Sequence, residues 1–221
     1  MTPLSDGYLE ARRQEILDAA ARVFVTKGYA AATVNDIAAE AGVATGSIYR
    51  YFPSKADLIA EVAGHCVQDD VERWETATGG ATPGETLLQL GELTRADLRG
   101  PGHRDEATLR LESYLAGSRD PALRHRITAS LDESTQSLAG FVQRAQASGE
   151  FDPTWDAQDL ARFLHVVGSG IGAMSVIYGD GLDTDRVWDV LVRLVAQHLQ
   201  GDLAAQAVSR ALGEIDSKGN N

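Results

Sequence analysis

Residues 33–58, TVNDIAAEAGVATGSIYRYFPSKADL, decide how the N-terminal part of this 221-residue chain folds. Thr33 followed by Asp36 is typical of a helix start. A hydroxyl there accepts a backbone N–H, and a carboxylate is favoured near the positive end of a helix. Gly42 then interrupts the helical pattern, and a second short helix is expected over residues 45–52, before a proline. The stretch therefore predicts two short helices joined by a tight turn.

Two such helices, with Ile37, Ala38, Val43 and Ile48 directed inward, have the layout of a helix-turn-helix. The second helix carries small, hydroxyl-bearing and aromatic residues and one arginine. Such a surface can enter the major groove of DNA, where hydroxyls and arginine bind base edges. The same pattern also fits a pair of packed helices whose aromatic residues only fill a core.

The residues of this stretch resemble the N-terminal domain of tetracycline-repressor (TetR) family transcriptional regulators, over roughly residues 10–60. The matching positions are Phe24, Gly28-Tyr29, Thr33, Ile37-Ala38, Ala41-Gly42-Val43, Gly46, Ile48-Tyr49, Tyr51-Phe52, Ser54-Lys55 and Leu58. Farther along the chain the resemblance is weaker, and residues 109–123 and 149–151 look like common features of the family's C-terminal domain. The resemblance implies an all-helical protein that binds duplex DNA.

The resemblance also implies which side chains bind DNA. In the family, the start of the first motif helix and the second motif helix contact phosphates and bases, and the residues that follow bind the DNA backbone. The predicted DNA-binding residues are Thr33, Asn35, Thr45, Gly46, Ser47, Tyr49, Arg50, Tyr51 and Lys55. Arg50 occupies a variable position of the family and is expected to contact an operator-specific base, whereas Lys55 is expected to bind a phosphate.

The charge of the chain is unevenly distributed. The formal net charge is −12, from 20 basic and 32 acidic residues. Residues 1–60 hold six basic and seven acidic residues, whereas residues 61–221 hold fourteen and twenty-five. Residues 41–56 contain no acid. Only the N-terminal part is therefore electrostatically suited to DNA, while the acidic remainder favours solubility.

The rest of the chain is also predicted to be helical, because apolar residues recur at helical spacing and alternating β-branched runs are absent. Helix starts are indicated by Thr82–Pro83, Asp120–Pro121, Asp152–Pro153 and Asp183. Helices are expected near residues 8–26, 34–40, 45–52, 53–76, 83–99, 104–117, 121–147, 156–177 and 184–199, with a tenth at 202–212. The predicted fold is all-α, with a helix-turn-helix DNA-binding domain (1–60) and a helical ligand-binding and dimerisation domain (61–221).

A dimer is expected because one helix-turn-helix binds only a short half-site, and two copies related by a two-fold axis bind a palindrome. Small residues and a Val/Leu stripe on the last two long helices suit such an interface, although the stripe could also pack inside one chain. The predicted interface residues are Gly168, Gly172, Val176, Val187, Leu191, Leu194, Val195 and His198.

A small-molecule effector is expected to bind between helices of the second domain. The candidate ligand-binding residues are Trp74, Arg110, Tyr114, Phe141, His165 and Met174. Methionine and aromatic residues at helical spacing are also common in an ordinary core. Glu112, close to two of these residues, could contact a cation, pair with Arg110 or face solvent.

Other function classes find little support in the sequence. Motifs of nucleophilic hydrolases, P-loop enzymes, zinc proteases and dinucleotide-binding folds are absent, so no catalytic residue, metal or cofactor is assigned. Cys66 is the only cysteine and forms no intramolecular disulfide. Residues 1–10 lack an apolar run, and residues 163–179 are too short and too polar for a membrane span. A soluble, cytoplasmic protein is expected.

The sequence thus predicts a homodimeric transcriptional regulator, a repressor that binds a palindromic operator and is released by a small-molecule effector. Within this class, an activator or a corepressor-dependent regulator would have the same motif. A different class, a helical small-molecule-binding protein or enzyme that does not bind DNA, would use the N-terminal helices only for packing.

Overall fold

The computed structural model describes residues 6–76, 82–200 and 202–203. Over these ranges the regular structure is helical, apart from one isolated antiparallel bridge between Phe151 and Leu199. The helices are α1 (Asp6–Lys27), α2 (Val34–Glu40), α3 (Thr45–Ile48), α4 (Lys55–Thr76), α5 (Pro83–Arg99), α6 (His103–Arg119), α7 (Pro121–Ala147), α8 (Ala157–Tyr178) and α9 (Thr184–Ala196), with a short 3-10 helix at Gly179–Gly181. The all-α prediction is confirmed.

The chain divides into two compact units that differ from the two predicted domains. The first unit combines Met1–Asp69 with Thr108–Leu131, and the second combines Asp70–Ala107 with Asp132–Asn221. The boundary therefore falls inside α4, α6 and α7. The predicted boundary at residue 60 differs because part of α6 and α7 packs with the N-terminal helices, a long-range relationship that local patterns do not reveal.

The core of the first unit is built on the apolar stripe of α1. Ile16, Ala20 and Phe24 recur at helical spacing and are fully buried. Gly28, with φ of +75°, ends the helix in the left-handed conformation that glycine adopts without strain. The remaining helices of the unit add Ile37, Ala38, Ile48, Leu58, Ile59, Leu109, Leu123 and Ile127 to the same cluster. This core fixes the short helices α2 and α3, which have too few residues to be stable alone.

The second unit has two apolar clusters. One joins α7, α8 and the residues after α9, and its buried members are Ala139, Val142, Ala145, Phe151, Ala157, Leu160, Ala161, Ala196, Leu199 and Leu203. The other consists of Ile171 on α8 with Trp188 and Leu191 on α9. A buried ion pair adds to this packing, because the Arg95 guanidinium on α5 lies 2.9 Å from Asp189 Oδ1 on α9. Removing one partner of such a pair would leave an uncompensated buried charge.

Most of the predicted helix starts are confirmed by their caps. Thr82 and Asp183 accept backbone N–H groups at the starts of α5 and α9. At the start of α8 the prediction was wrong, since Asp156 is the cap and Asp152 instead accepts the N–H of Thr154 in a preceding turn.

Two helix ends also differ from the predictions. Helix α3 stops at Ile48 and continues as turns, and α9 stops at Ala196, because Leu199 pairs with an extended segment. Of the expected tenth helix, 202–212, all but residues 202–203 lies outside the described residues.

Candidate nucleic-acid interface

Hydrogen bonds between Thr33 and Asp36 fix the start of α2. The Asp36 N–H donates to Thr33 Oγ1 (3.1 Å), and the Thr33 N–H donates to Asp36 Oδ2 (3.0 Å). The Lys27 ammonium donates to the other carboxylate oxygen at 2.7 Å. Together with the bonds from Thr33, this contact lowers the pKa of Asp36 to about 2. The predicted capping pair is confirmed, and the Thr33 hydroxyl takes part in the cap.

The turn between α2 and α3 brings two predicted DNA-binding residues together. Gly42 has φ of +64°, and the N–H of Val43 donates to the carbonyl of Ala38 (3.0 Å), which closes the turn. The Thr45 hydroxyl then donates to Asn35 Oδ1 at 2.9 Å. The N-terminal ends of the two helices are thereby joined through the side chains that the sequence assigns to DNA.

Helix α3 and the turn after it present the polar side chains of the motif to solvent. Ile48 anchors the helix, because its side chain is fully buried in the core of the first unit. On the other side, Gly46, Tyr49 and Arg50 are exposed, and Ser47 is half-buried. Tyr51 is partly buried against the core, so only part of its side chain is available to DNA.

Arg50 differs from the other basic residues near the motif. Within the described residues 6–60, it is the one basic side chain with no hydrogen-bond or ion-pair partner elsewhere in the described chain. The other five are engaged, in the pairs Arg12–Glu15, Arg13–Glu61, Arg22–Glu40 and Lys27–Asp36 and in the contacts of Lys55 with backbone carbonyls. A guanidinium that breaks no contact with the described residues when it binds DNA is well suited to that role.

Lys55 lies where the sequence predicts a phosphate contact, but its ammonium is used inside the protein. It donates to the carbonyl oxygens of Tyr29 (2.6 Å) and Ala32 (2.8 Å), and lies 4.4 Å from the centre of the Tyr29 ring. Burial lowers the pKa of Lys55. The phosphate contact of Lys55 stays a prediction, and a phosphate would have to compete with these carbonyls for the ammonium.

Sequence reasoning missed the role of Glu112 on α6. Its Oε2 atom accepts the backbone N–H of Tyr29 at 2.9 Å, in the loop that leads from α1 to α2. The contact spans 83 residues, and one glutamate on a helix gives no local signal of such a partner. The expected alternatives, a cation, Arg110 or solvent, do not include this contact.

The six predicted ligand-binding residues are divided between the two compact units. Arg110 and Tyr114 are half-buried in the first unit, where Tyr114 packs against the core. In the second unit Phe141 is buried beneath the Arg144 guanidinium, which lies 4.4 Å from its ring centre. His165 is half-buried and Met174 is exposed, both on α8. The side chain of Trp74 lies outside the described residues.

The predicted interface residues of α8 and α9 face in different directions. Val187 and Leu194 are exposed, whereas Leu191 is buried in the core of its own unit, and a buried side chain offers no surface to a partner. Val195 packs partly against the same core. The other predicted positions, Gly168, Gly172, Val176 and His198, are half-buried.

A set of exposed apolar residues on α8 and α9 overlaps the predicted interface only at Val187 and Leu194. On α8, Phe163, Val166, Met174 and Ile177 recur at helical spacing with 45–72% exposure. On α9, Val187, Val190 and Leu194 do the same with 38–59% exposure. We call these seven residues the α8–α9 apolar face.

By length and composition alone, one helical segment of the described chain, Ala157–Gly181, could cross a membrane. It is longer than the 163–179 stretch and contains all of it. The same composition is expected of a helix whose apolar side is covered by another protein chain, so it is weak grounds for a membrane span.

Comparison with known proteins identifies the family. Residues 16–62 match the family model described as bacterial regulatory proteins, tetR family, and residues 116–191 match the tetracyclin repressor-like C-terminal domain. The HTH-type transcriptional repressor KstR of Mycobacterium tuberculosis is 31% identical over 187 residues, which cover 83% of this chain and 80% of that protein. The repressor KstR2 of Rhodococcus jostii is 47% identical over 155 residues, which cover 69% of this chain and 74% of that protein.

Solved structures agree with this result. A putative transcriptional regulator from Saccharomonospora viridis, determined in complex with choline, superposes with a TM-score of 0.71 at 26% identity, covering 87% of this chain and all of that one. The exposed α3 surface lies inside the first matched segment, and α8 lies inside the second. The chain belongs to the tetracycline-repressor family of DNA-binding transcriptional regulators.

Proposed function

We propose that this regulator is a repressor that binds a two-fold symmetric operator as a homodimer and leaves it when a small molecule binds its C-terminal helices. The observation that carries the proposal is the exposed Arg50, which has no partner among the described residues, beside the exposed Tyr49 at the end of α3. An arginine fork can bind the O6 and N7 atoms of guanine, and an aromatic ring can contact a thymine methyl group. Arg50 is therefore the proposed base-specific residue.

The remaining polar contacts are proposed from the geometry of the motif. Thr45 and Asn35 hold each other at the N-terminal ends of α3 and α2, so both face the same surface as Gly46 and Ser47. Short polar side chains and helix N-terminal N–H groups are typical phosphate ligands. Lys55 is left out of this set, since its ammonium already binds three carbonyl groups.

The α8–α9 apolar face supports the proposed homodimer. Seven large apolar side chains on two neighbouring helices would stay in water in a single chain, although a soluble protein rarely leaves such a patch uncovered. Gly170 lies on the same side of α8 and is exposed, so a partner helix can approach closely. A second copy of the chain presents an identical face, which is the arrangement of a two-fold dimer.

The proposed effector acts through helices that belong to both units. Lys55–Asp69 of α4 lies in the first unit and the rest of the helix in the second. An effector that binds one orientation of α4 about 100-fold more tightly would supply about 2.7 kcal/mol of coupling to DNA binding. The choline complex of the 26%-identical structure indicates that a protein of this fold can hold a small molecule. We place the regulator in the cytoplasm, where its operator and effector would meet it.

The direct test is selection of binding sites from a random DNA duplex pool, followed by titration of the selected site at several salt concentrations. A two-fold symmetric consensus whose affinity far exceeds that of random DNA is expected. Binding no tighter than to random DNA would contradict the proposal for the effector-free protein. A reporter strain with and without the gene then distinguishes repression from activation or corepression.

The competing class, a helical small-molecule-binding protein or enzyme without DNA binding, gives a different result with two variants. It predicts that Arg50→Ala and Tyr49→Ala leave the protein's activity in the cell unchanged. The proposed function predicts that both variants lose control of the reporter while remaining folded, as judged by circular dichroism.

A further inference from the structure

The loop between α1 and α2 is held from two sides by oppositely charged side chains. Glu112 on α6 accepts the N–H of Tyr29 at 2.9 Å. Lys55 at the start of α4 donates to the carbonyl of the same residue at 2.6 Å and to that of Ala32 at 2.8 Å. The two peptide groups of Tyr29 therefore link a carboxylate on one helix with an ammonium on another. All of these groups lie in the first compact unit.

Gly28 makes room for this arrangement. Its φ of +75° is a conformation that other residues adopt only with strain, and a Cβ atom at this position would lie 3.1 Å from Glu112 Oε1. The half-buried carboxylate thus fits against a bare backbone. A hydrogen bond from an N–H to a carboxylate is stronger than one to a neutral acceptor. The contact places the Glu112 carboxylate directly against the backbone of residues 28 and 29.

The position of Tyr29 sets the start of α2. Its ring packs against Phe24, with 5.6 Å between ring centres, and four residues later Thr33 caps α2. Because α2 is joined to α3 through Thr45 and Asn35, a shift of the loop would reorient the whole motif. We infer that Glu112 is a positioning residue, which fixes the orientation of the α2–α3 motif through the Tyr29 N–H and so determines the half-site spacing that the dimer accepts.

This inference rests on the proposed function, since spacing has a meaning only for a dimer on a two-part operator. Two motifs held in fixed orientations fit half-sites at one separation and are strained at others. When the loop is released, each motif samples more orientations. Binding to the operator with the best spacing then weakens, because each motif loses more conformational freedom when it binds. The loss of affinity at a wrong spacing becomes smaller, because a mobile motif can adapt to it.

The experiment compares operators built from the selected half-site, at the preferred spacing and with one base pair inserted at the centre. The proteins are wild type, Glu112→Ala and Glu112→Gln, with Glu133→Ala as a control. Glu133 is an exposed acid on α7 outside this contact, so its removal changes the net charge equally. The thermal unfolding midpoint of each protein shows whether it is folded at the temperature of the binding assay.

Glu112→Ala is expected to bind the preferred operator about 10-fold more weakly than wild type, which corresponds to the loss of one hydrogen bond to a charged group. Its preference for the correct spacing should also fall about 10-fold. Glu112→Gln keeps a neutral acceptor, so its affinity and its spacing preference should lie between those of wild type and Glu112→Ala. Glu133→Ala should behave as wild type. General destabilisation would lower the active fraction but leave the spacing preference unchanged.

A folded Glu112→Ala protein with the wild-type spacing preference would overturn the inference. If that variant does not fold, amide hydrogen exchange in Glu112→Gln decides: exchange at the Tyr29 N–H should be about 10-fold faster than in wild type, and equal rates overturn the inference. If wild type selects no symmetric site, the proposed function fails. The exchange measurement then still tests whether Glu112 holds the loop.

Discussion

The ammonium group of Lys55 lies 2.6 Å from the carbonyl oxygen of Tyr29, across 26 residues of sequence. The same ammonium lies 4.4 Å from the centre of the Tyr29 ring, so one cation satisfies both the backbone and the aromatic face of this residue. A lysine that the sequence assigns to DNA therefore holds the loop that precedes the DNA-binding motif.

Lys55→Met should destabilise the protein, because the carbonyl groups of the loop lose a charged donor while the apolar stem is retained. The expected cost is about 1.5–3 kcal/mol in the free energy of unfolding, measured by urea denaturation. The salt dependence of operator binding should stay as in wild type. A variant of unchanged stability whose salt slope falls by about one would instead assign Lys55 to a phosphate.

Arg50→Ala should weaken operator binding by about 1–3 kcal/mol and relax the preference at one base position, since a bidentate base contact is lost. The measurement is titration of the selected operator and of its single-base variants. Arg119→Ala removes another exposed arginine of the first unit, at the end of α6, and should leave both affinity and specificity unchanged. A uniform loss over all operator variants would mean that Arg50 binds a phosphate.

Asp36 should stabilise the protein at neutral pH and cease to do so in strong acid. Its pKa of about 2 in the folded chain lies below the ordinary value of 3.8, so protonation favours the unfolded state. The stabilisation is therefore present above about pH 4 and is lost as the pH falls towards 2. Wild type should exceed Asp36→Asn in thermal unfolding midpoint from pH 7 to 4, and the difference should then shrink.

Asp132→Asn, which neutralises an exposed acid on α7, is the control for the pH experiment and should track wild type over the whole range. A difference between wild type and Asp36→Asn that persists unchanged to pH 2 would show that the stabilisation does not come from the ionised carboxylate of Asp36.

Charges on the α8–α9 apolar face should separate the dimer. Val190→Glu together with Leu194→Glu places two carboxylates on a surface where both side chains are more than half exposed, so folding of the single chain should be little affected. Light scattering after size exclusion should give the mass of two chains for wild type and of one for the variant, which should also lose tight operator binding. If the double variant is still a dimer, the interface lies elsewhere. Asp132→Lys is the control for a change of charge and should remain a dimer.

The helices and the motif were predictable from local patterns, because the interactions that specify them join residues three or four positions apart. The Thr33–Asp36 cap, the turn at Gly42 and the apolar stripe of α1 are all local patterns, and each was predictable. The family resemblance was carried by the same stretch, and the matching family models confirm it.

Which side chains remain available for function depends on how the helices pack, and local patterns do not reveal this. Helical spacing placed Leu191 and Leu194 on one helix as equivalent apolar residues, but packing buries the first and exposes the second. In the same way, Arg50 and Lys55 are both basic residues beside the motif, and folding supplies backbone carbonyls to one and leaves the other in solvent. The physical reason is that packing brings together residues that are far apart along the chain. The contact between Glu112 and Tyr29, for example, joins two segments that no local sequence pattern relates.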